Sequence, residues 1–154
     1  MPSLKSEALP ARAAIQSEVF EANLRVRYAE TDQMGVVYHS NYIVWFEVGR
    51  VEMLRQLGFT YRQMEEQDGT NLAVVEVRCR FKTPAHYDDV ITLRTRLLKV
   101  RDSLLHFGYD VVRQEDGTLL AEGESIHLVV DAGFKRMPLP QKYLVSFRKA
   151  AGQS

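Results

Sequence analysis

Between residues 32 and 41 the sequence sets a carboxylate, Asp32, then Gly35, then the run Tyr38-His39-Ser40-Asn41, directly before a segment that reads as a helix. Such a grouping has a chemical use. The first turn of a helix carries N–H groups without intrahelical acceptors and the positive end of the helix dipole, where a carbonyl oxygen can be held as it turns negative. A carboxylate on the preceding loop can reach the same carbonyl as a nucleophile or as a base for water. Hydrolysis of a thioester needs both parts. The same residues also have ordinary uses, and by local pattern alone those are commoner. An Asp in a loop often forms a turn, a His near a helix start often caps it or faces water, and Tyr28 and Tyr38 suit the edge of a core.

Other site types are absent from the sequence. It holds no Gly-rich phosphate loop, no Gly-x-Ser-x-Gly elbow, no Cys-x-x-Cys and no His-Glu-x-x-His. The histidines, His39, His86, His106 and His127, stand far apart without metal-ligand spacing, so no metal site is expected.

The elements that must position these residues follow from periodicity. Phe20, Ala22, Leu24, Val26 and Tyr28 alternate with Glu21, Asn23, Arg25 and Arg27, the pattern of a half-buried strand. Residues 29 to 40 break it. A helix is expected over 42–57, capped by Ser40 or Asn41, stopped at Gly58 and roughly 25 Å long at ~1.5 Å per residue. Its first turns, Tyr42-Ile-Val-Trp-Phe46, are apolar on nearly all sides, which predicts a sheet against one face and something else against the other.

A polar connection follows, and then strands. Ala73, Val75, Val77, Cys79 and Phe81 are expected to face inward, with Glu76, Arg78, Arg80 and Lys82 outward, up to the stop at Pro84. Consecutive antiparallel strands are expected over 90–100, 104–114 and 118–130, joined by turns at Arg101-Asp-Ser103 and Glu115-Asp-Gly117, so that four strands form a meander. A short helix is expected over 138–147. One helix cannot cover both faces of a five-stranded sheet, so an α+β layer architecture with an uncovered edge or face, and hence a homo-oligomer, is predicted.

Composition bounds the rest. The 154 residues suffice for one domain, placed at 18–150 behind a loosely ordered arm, 1–17, in which a transient helix over 11–15 is conceivable. Lys plus Arg and Asp plus Glu both total 20, so no general attraction to nucleic acid or an anionic membrane is built in. Cys79 is the single cysteine, which excludes an internal disulfide and fits the cytoplasm. No stretch has the ~18 apolar residues of a membrane span and no signal peptide is visible.

The segment Val26-Arg-Tyr-Ala-Glu-Thr-Asp-Gln-Met-Gly-Val-Val-Tyr-His-Ser-Asn-Tyr-Ile-Val-Trp-Phe46 resembles the signature of the hotdog-fold acyl-CoA thioesterases of the 4-hydroxybenzoyl-CoA and Tol-Pal-associated type. Phe81-Lys-Thr-Pro-Ala-His-Tyr-Asp-Asp-Val-Ile91 resembles the family's next turn and strand, and the likeness extends weakly to about Tyr143. The resemblance implies a central helix wrapped by a curved five-stranded antiparallel sheet, a homodimer or homotetramer, and sites at the subunit interface. It puts Asp32 at the catalytic carboxylate and the backbone N–H of His39 at the oxyanion donor, and associates Tyr28, Gly35 and Tyr38 with substrate binding. Lys99, Arg101 and Ser103 match a basic turn that contacts the nucleotide end of coenzyme A, with Asp102 a departure from its more basic versions. Coenzyme A enters as part of the substrate, and no separate cofactor is implied. Glu47 and Glu52 lie on the helix that carries the catalytic Glu in another thioesterase branch, and with Asp32 present they are expected to be structural or to tune specificity. Two other classes stay open: a hotdog dehydratase or hydratase, against which stands the absence of a His-Phe-Pro-Gly entry, and a non-catalytic binder of acyl-CoA or acyl-carrier protein.

Overall fold

The computed structural model describes residues 16–153, so most of the expected arm, including the helix over 11–15, lies outside the described residues. Five strands and three α-helices follow in the order β1 (Phe20–Arg25), a 3-10 turn (Tyr28–Glu30), α1 (Ser40–Gln56), α2 (Tyr61–Asp68), β2 (Asn71–Phe81), β3 (Val90–Arg101), β4 (Leu104–Arg113), β5 (Leu119–Val130) and α3 (Gln141–Ala150). The strands form one antiparallel sheet, ordered β1-β3-β4-β5-β2. α1 lies against it with Tyr42, Trp45, Phe46, Met53 and Leu54 buried. This is the α+β hotdog arrangement, a long helix wrapped by a curved five-stranded sheet.

The expected four-strand meander is corrected by the pairing. Only β3, β4 and β5 follow one another across the sheet, while β2 pairs with β5 at the far edge and does not pair with β3. The reason lies in the connection after Phe81. Residues 82–89 do not turn back as a hairpin but are held across the start of α1, where Val37 N–H donates to Ala85 O at 2.8 Å and Asp88 N–H to Val26 O at 3.0 Å.

The inward face of β2 is also corrected. A bulge at Val75 shifts the register between Val74 and Glu76, so Leu72 and Val74 stand on the inner side before it, opposite Val129 and His127, and Val77 and Cys79 after it. Val74, Val75 and Phe81 are about half exposed within one chain.

Smaller differences have local causes. β1 ends at Arg25 because the 3-10 turn follows, and Tyr28 is exposed rather than inward. The connection after α1 folds into α2, capped by Thr60, whose hydroxyl accepts from Gln63 N–H at 3.1 Å, and stopped by Gly69 in the left-handed region. The N-cap of α1 is His39, not Ser40 or Asn41, and its side chain makes no capping bond. α3 begins at Gln141, with Pro140 ahead of it.

Two glycines allow α1 to lie close to the sheet. A Cβ on Gly49 would stand 2.3 Å from Thr95 Oγ1, and one on Gly123 would stand 2.5 Å from Phe46 Cζ. Between helix and sheet runs a buried polar chain in which Arg50 donates to the Tyr109 hydroxyl at 3.0 Å, Tyr109 bonds Ser125 at 2.5 Å and Ser125 bonds His127 Nε2 at 2.8 Å. The guanidinium can only donate, so the Tyr109 hydroxyl accepts from Arg50, and the Ser125 hydroxyl links Tyr109 to the His127 ring.

The open edge of β3 beyond β1 is covered from the C-terminus. Val100 N–H donates to Gln153 Oε1 at 2.7 Å and Val100 O accepts from Gln153 Nε2 at 2.9 Å, a side-chain amide standing in for a neighbouring strand.

Candidate active site

The chain between β1 and α1 makes a tight turn around Asp32. Its N–H donates to Val36 O at 2.9 Å, its carbonyl accepts from Gly35 N–H at 3.0 Å, and Oδ1 accepts from Met34 N–H at 2.8 Å. Gly35 closes the turn with φ +79°, a conformation that costs a residue with a Cβ ~1–2 kcal/mol. One carboxylate oxygen of Asp32 thus holds the turn. Oδ2 has no protein partner among the described residues, and the side chain is partly exposed.

Asp32 and His39 line one cavity of about 250 Å³, with Tyr42 and the strand-end residues Phe81, Lys82 and Thr83 among its other walls. Tyr38 N–H donates to Glu30 O at 2.8 Å and Asn41 N–H to Tyr38 O at 3.0 Å, so of the four N–H groups from Tyr38 to Asn41 those of His39 and Ser40 have no backbone acceptor among the described residues. Among the described residues the His39 N–H makes no backbone bond, and it stands at the positive end of the 17-residue α1. The Tyr42 hydroxyl accepts from Ala85 N–H at 3.1 Å, and burial pushes its pKa up. Lys82 brings a positive charge to the wall and lies 3.5 Å from Glu122. A carboxylate, a free N–H at a helix start and largely apolar walls are what attack on an acyl carbonyl needs.

The remaining predicted residues divide. Tyr38 is 47% exposed and its ring lies 4.4 Å from that of His39, but it does not line the cavity. Tyr28 is 78% exposed and packs edge-on against Tyr87 at 5.8 Å, outside the cavity walls. Lys99 and Arg101 are exposed at the far end of β3, whose near end, Val90, pairs with Arg25 beside the Asp32 turn. Across that 12-residue strand, at ~3.3 Å per residue, the two ends are roughly 36 Å apart. One chain does not bring them together. Ser103 is buried, with its hydroxyl accepting from Arg136 Nε at 2.6 Å. Glu47 is exposed on α1, and Glu52 pairs with Arg55 on the surface.

Sequence reasoning missed two sets of residues. Phe81, Lys82 and Thr83 form cavity wall, and the signal was Pro84 ending a strand where the chain must cross α1. Glu30 is 5% exposed and bonded to Trp45 Nε1 at 2.9 Å, and no sequence pattern separates a buried carboxylate from a solvated one. Among the described residues no three of His, Cys, Asp and Glu gather in a way that could hold a metal ion.

A family model described as the thioesterase-like superfamily matches residues 26–147. A Bacillus subtilis protein, YneP, is 39% identical over 113 residues, 73% of this chain and 80% of its own. The acyl-CoA thioester hydrolase YbgC of Escherichia coli is 31% identical over 136 residues, covering 88% of this chain and 100% of its own. The crystal structure of a DHNA-CoA thioesterase from Staphylococcus aureus superposes with a TM-score of 0.78 at 30% identity, covering 87% of this chain and 89% of that one.

Proposed function

The chain belongs to the thioesterase-like superfamily, and from that premise we propose that it hydrolyses acyl-CoA thioesters to a free acid and coenzyme A, with Asp32 and the His39 N–H as the reacting pair. The observation that carries this reading is their convergence on one cavity from two separate elements. The thioester oxygen lies at the N-terminus of α1, where the His39 N–H and the helix dipole stabilise it as it turns negative. Asp32 acts from the other side, either attacking the carbonyl carbon, with loss of the coenzyme A thiolate and an Asp32 anhydride that water then cleaves to the free acid, or drawing the proton from a water that attacks and displaces the thiolate directly. No step calls for a metal or a redox cofactor, and the coenzyme A moiety arrives and leaves with the substrate.

The working unit is an oligomer, a homodimer or a pair of dimers. β2 is an edge strand with Val74, Val75 and Phe81 half exposed, and Ile43 and Val44 on α1 lie open beside the buried Tyr42 and Trp45. A second copy covering them supplies the other side predicted for an all-round apolar helix start. It also resolves the placement of Lys99 and Arg101, since only a partner's basic turn could approach the Asp32 cavity, there to hold the phosphates of coenzyme A. Ser103 in this picture shapes the turn from within. No helix among the described residues is long and apolar enough to cross a membrane. A cytoplasmic location fits the single cysteine and the acyl-CoA substrate.

Release of free thiol from a panel of short, medium, long and aromatic acyl-CoAs tests the activity. Turnover of at least one class is expected. Saturable binding without thiol release would favour the binding module, and hydration of an enoyl-CoA without thiol release the hydratase.

A further inference from the structure

Glu30 is a buried carboxylate on the 3-10 turn just ahead of Asp32, and its partners come from four places. Oε1 accepts from the Arg27 N–H at 2.8 Å, where the chain enters the turn. Oε2 accepts from the Trp45 indole N–H at 2.9 Å, in the second turn of α1. The carbonyl oxygen accepts from Tyr38 N–H at 2.8 Å, where the chain leaves the turn, and from Asn41 Nδ2 at 2.9 Å, in the first turn of α1. The Arg27 guanidinium lies 3.5 Å from Oε1, but that side chain is mostly exposed, so the desolvated bonds are those to the backbone and the indole.

One residue therefore fixes both halves of the proposed pair. Asp32 follows Glu30 by two positions, and His39 lies between Tyr38 and Asn41, both tied to the Glu30 carbonyl. We propose that Glu30 is a positioning residue, whose carboxylate, anchored on Trp45, sets the distance between the Asp32 carboxylate and the His39 N–H. It touches no substrate, since it does not line the cavity. A simple core contact would stabilise the fold without holding this spacing, whereas the bonds of Glu30 bracket the turn on both sides. The proposal rests on the reading of Asp32 and His39 as the reacting pair.

Substitution separates the possibilities. Glu30→Gln keeps the volume but presents one oxygen and one NH₂ group to two donors, so it breaks one of the two anchors. Trp45→Phe removes only the indole donor. Displacing reacting groups by about an ångström costs on the order of 10²-fold in rate. Both variants are therefore expected to lose roughly 10- to 100-fold in kcat with little change in KM, because binding is made elsewhere. The fluorescence of Trp45, the one tryptophan in the chain, is expected to shift in Glu30→Gln.

Fold and oligomeric state are checked by circular dichroism and sedimentation, and Asp32→Asn is assayed alongside. Near-native kcat in folded Glu30→Gln and Trp45→Phe, with Asp32→Asn inactive, overturns the assignment of Glu30 alone. Near-native turnover in Asp32→Asn overturns the pair on which the proposal rests. A fall in activity that only tracks loss of folded protein makes Glu30 structural and also overturns it.

Discussion

Asp32, on the turn that follows the 3-10 segment, and His39, at the N-terminus of α1, line the same cavity from two pieces of chain. Among the described residues no hydrogen bond joins the two directly, so their spacing is inherited from the frame around them. That dependence makes the frame itself testable.

Gly35 gives the first case. At φ +79° an added Cβ meets open space, so the cost of Gly35→Ala is purely conformational, ~1–2 kcal/mol. Because Gly35 closes the turn on Asp32 O, the variant is expected to lose turnover beyond what its stability loss explains. Gly35→Asn, which tolerates the left-handed region better, is expected to fall between the two. Denaturant unfolding and steady-state rates on the same preparations check this.

A second prediction concerns how closely α1 approaches β3. Gly49→Ala drives a Cβ to 2.3 Å from Thr95 Oγ1 and is expected to cost ~1–3 kcal/mol. Thr95 Oγ1 is buried and has no hydrogen-bond partner among the described residues, so its removal leaves no group orphaned. Thr95→Ala in the Gly49→Ala background is therefore expected to recover much of the loss, with a clearly non-additive cycle in chemical denaturation.

The buried polar chain sets a pH dependence. Burial, reinforced by the nearby Arg50 charge, lowers the pKa of His127 from 6.5 to about 3. The unfolded chain thus takes up a proton near pH 6.5 that the folded chain refuses until near pH 3. Between those values the unfolded state binds more protons, so this group's contribution is complete above pH 6.5 and is lost as pH falls. From pH 7 to pH 5 the native protein is expected to lose about 2 kcal/mol through His127. His127→Gln lacks this component, and comparing urea midpoints at the two pH values isolates it.

Arg101 tests the proposed oligomeric site. Its replacement by Ala is expected to raise KM for acyl-CoA about tenfold, ~1.4 kcal/mol, with kcat nearly unchanged. Added salt should raise KM less in the variant than in the native enzyme. Val75→Arg on the β2 edge, which opposes pairing with a second copy, is expected to lower oligomer and activity together.

Much of this architecture was legible in the sequence, for reasons visible at particular residues. The apolar start of α1, Tyr42 to Phe46, announced a helix lying against the sheet, with its other face, at Ile43 and Val44, half exposed within one chain, and alternation located the strands to within a few residues. Alternation carries no information about which strand lies beside which, so the place of β2 at the edge was missed. A single bulge at Val75 reversed the faces of its first half. The polar stretch 61–68 concealed α2 because only Met64 is buried there. At the candidate site, the family signature singled out Asp32 and His39, which the structure sets on one cavity, whereas nothing singled out Glu30, because its burial is created by Trp45 fifteen residues away.

The most direct test of the central claim is the turnover of Asp32→Asn on the best acyl-CoA substrate, measured on protein shown to be folded and in the native oligomeric state. The substitution removes the charge and the nucleophile at nearly constant volume. A loss of kcat on the order of 10²-fold or more, with KM little changed, is the predicted result. Near-native kcat would contradict the account, since the cavity would then be hydrolysing thioesters without the carboxylate around which its turn is built.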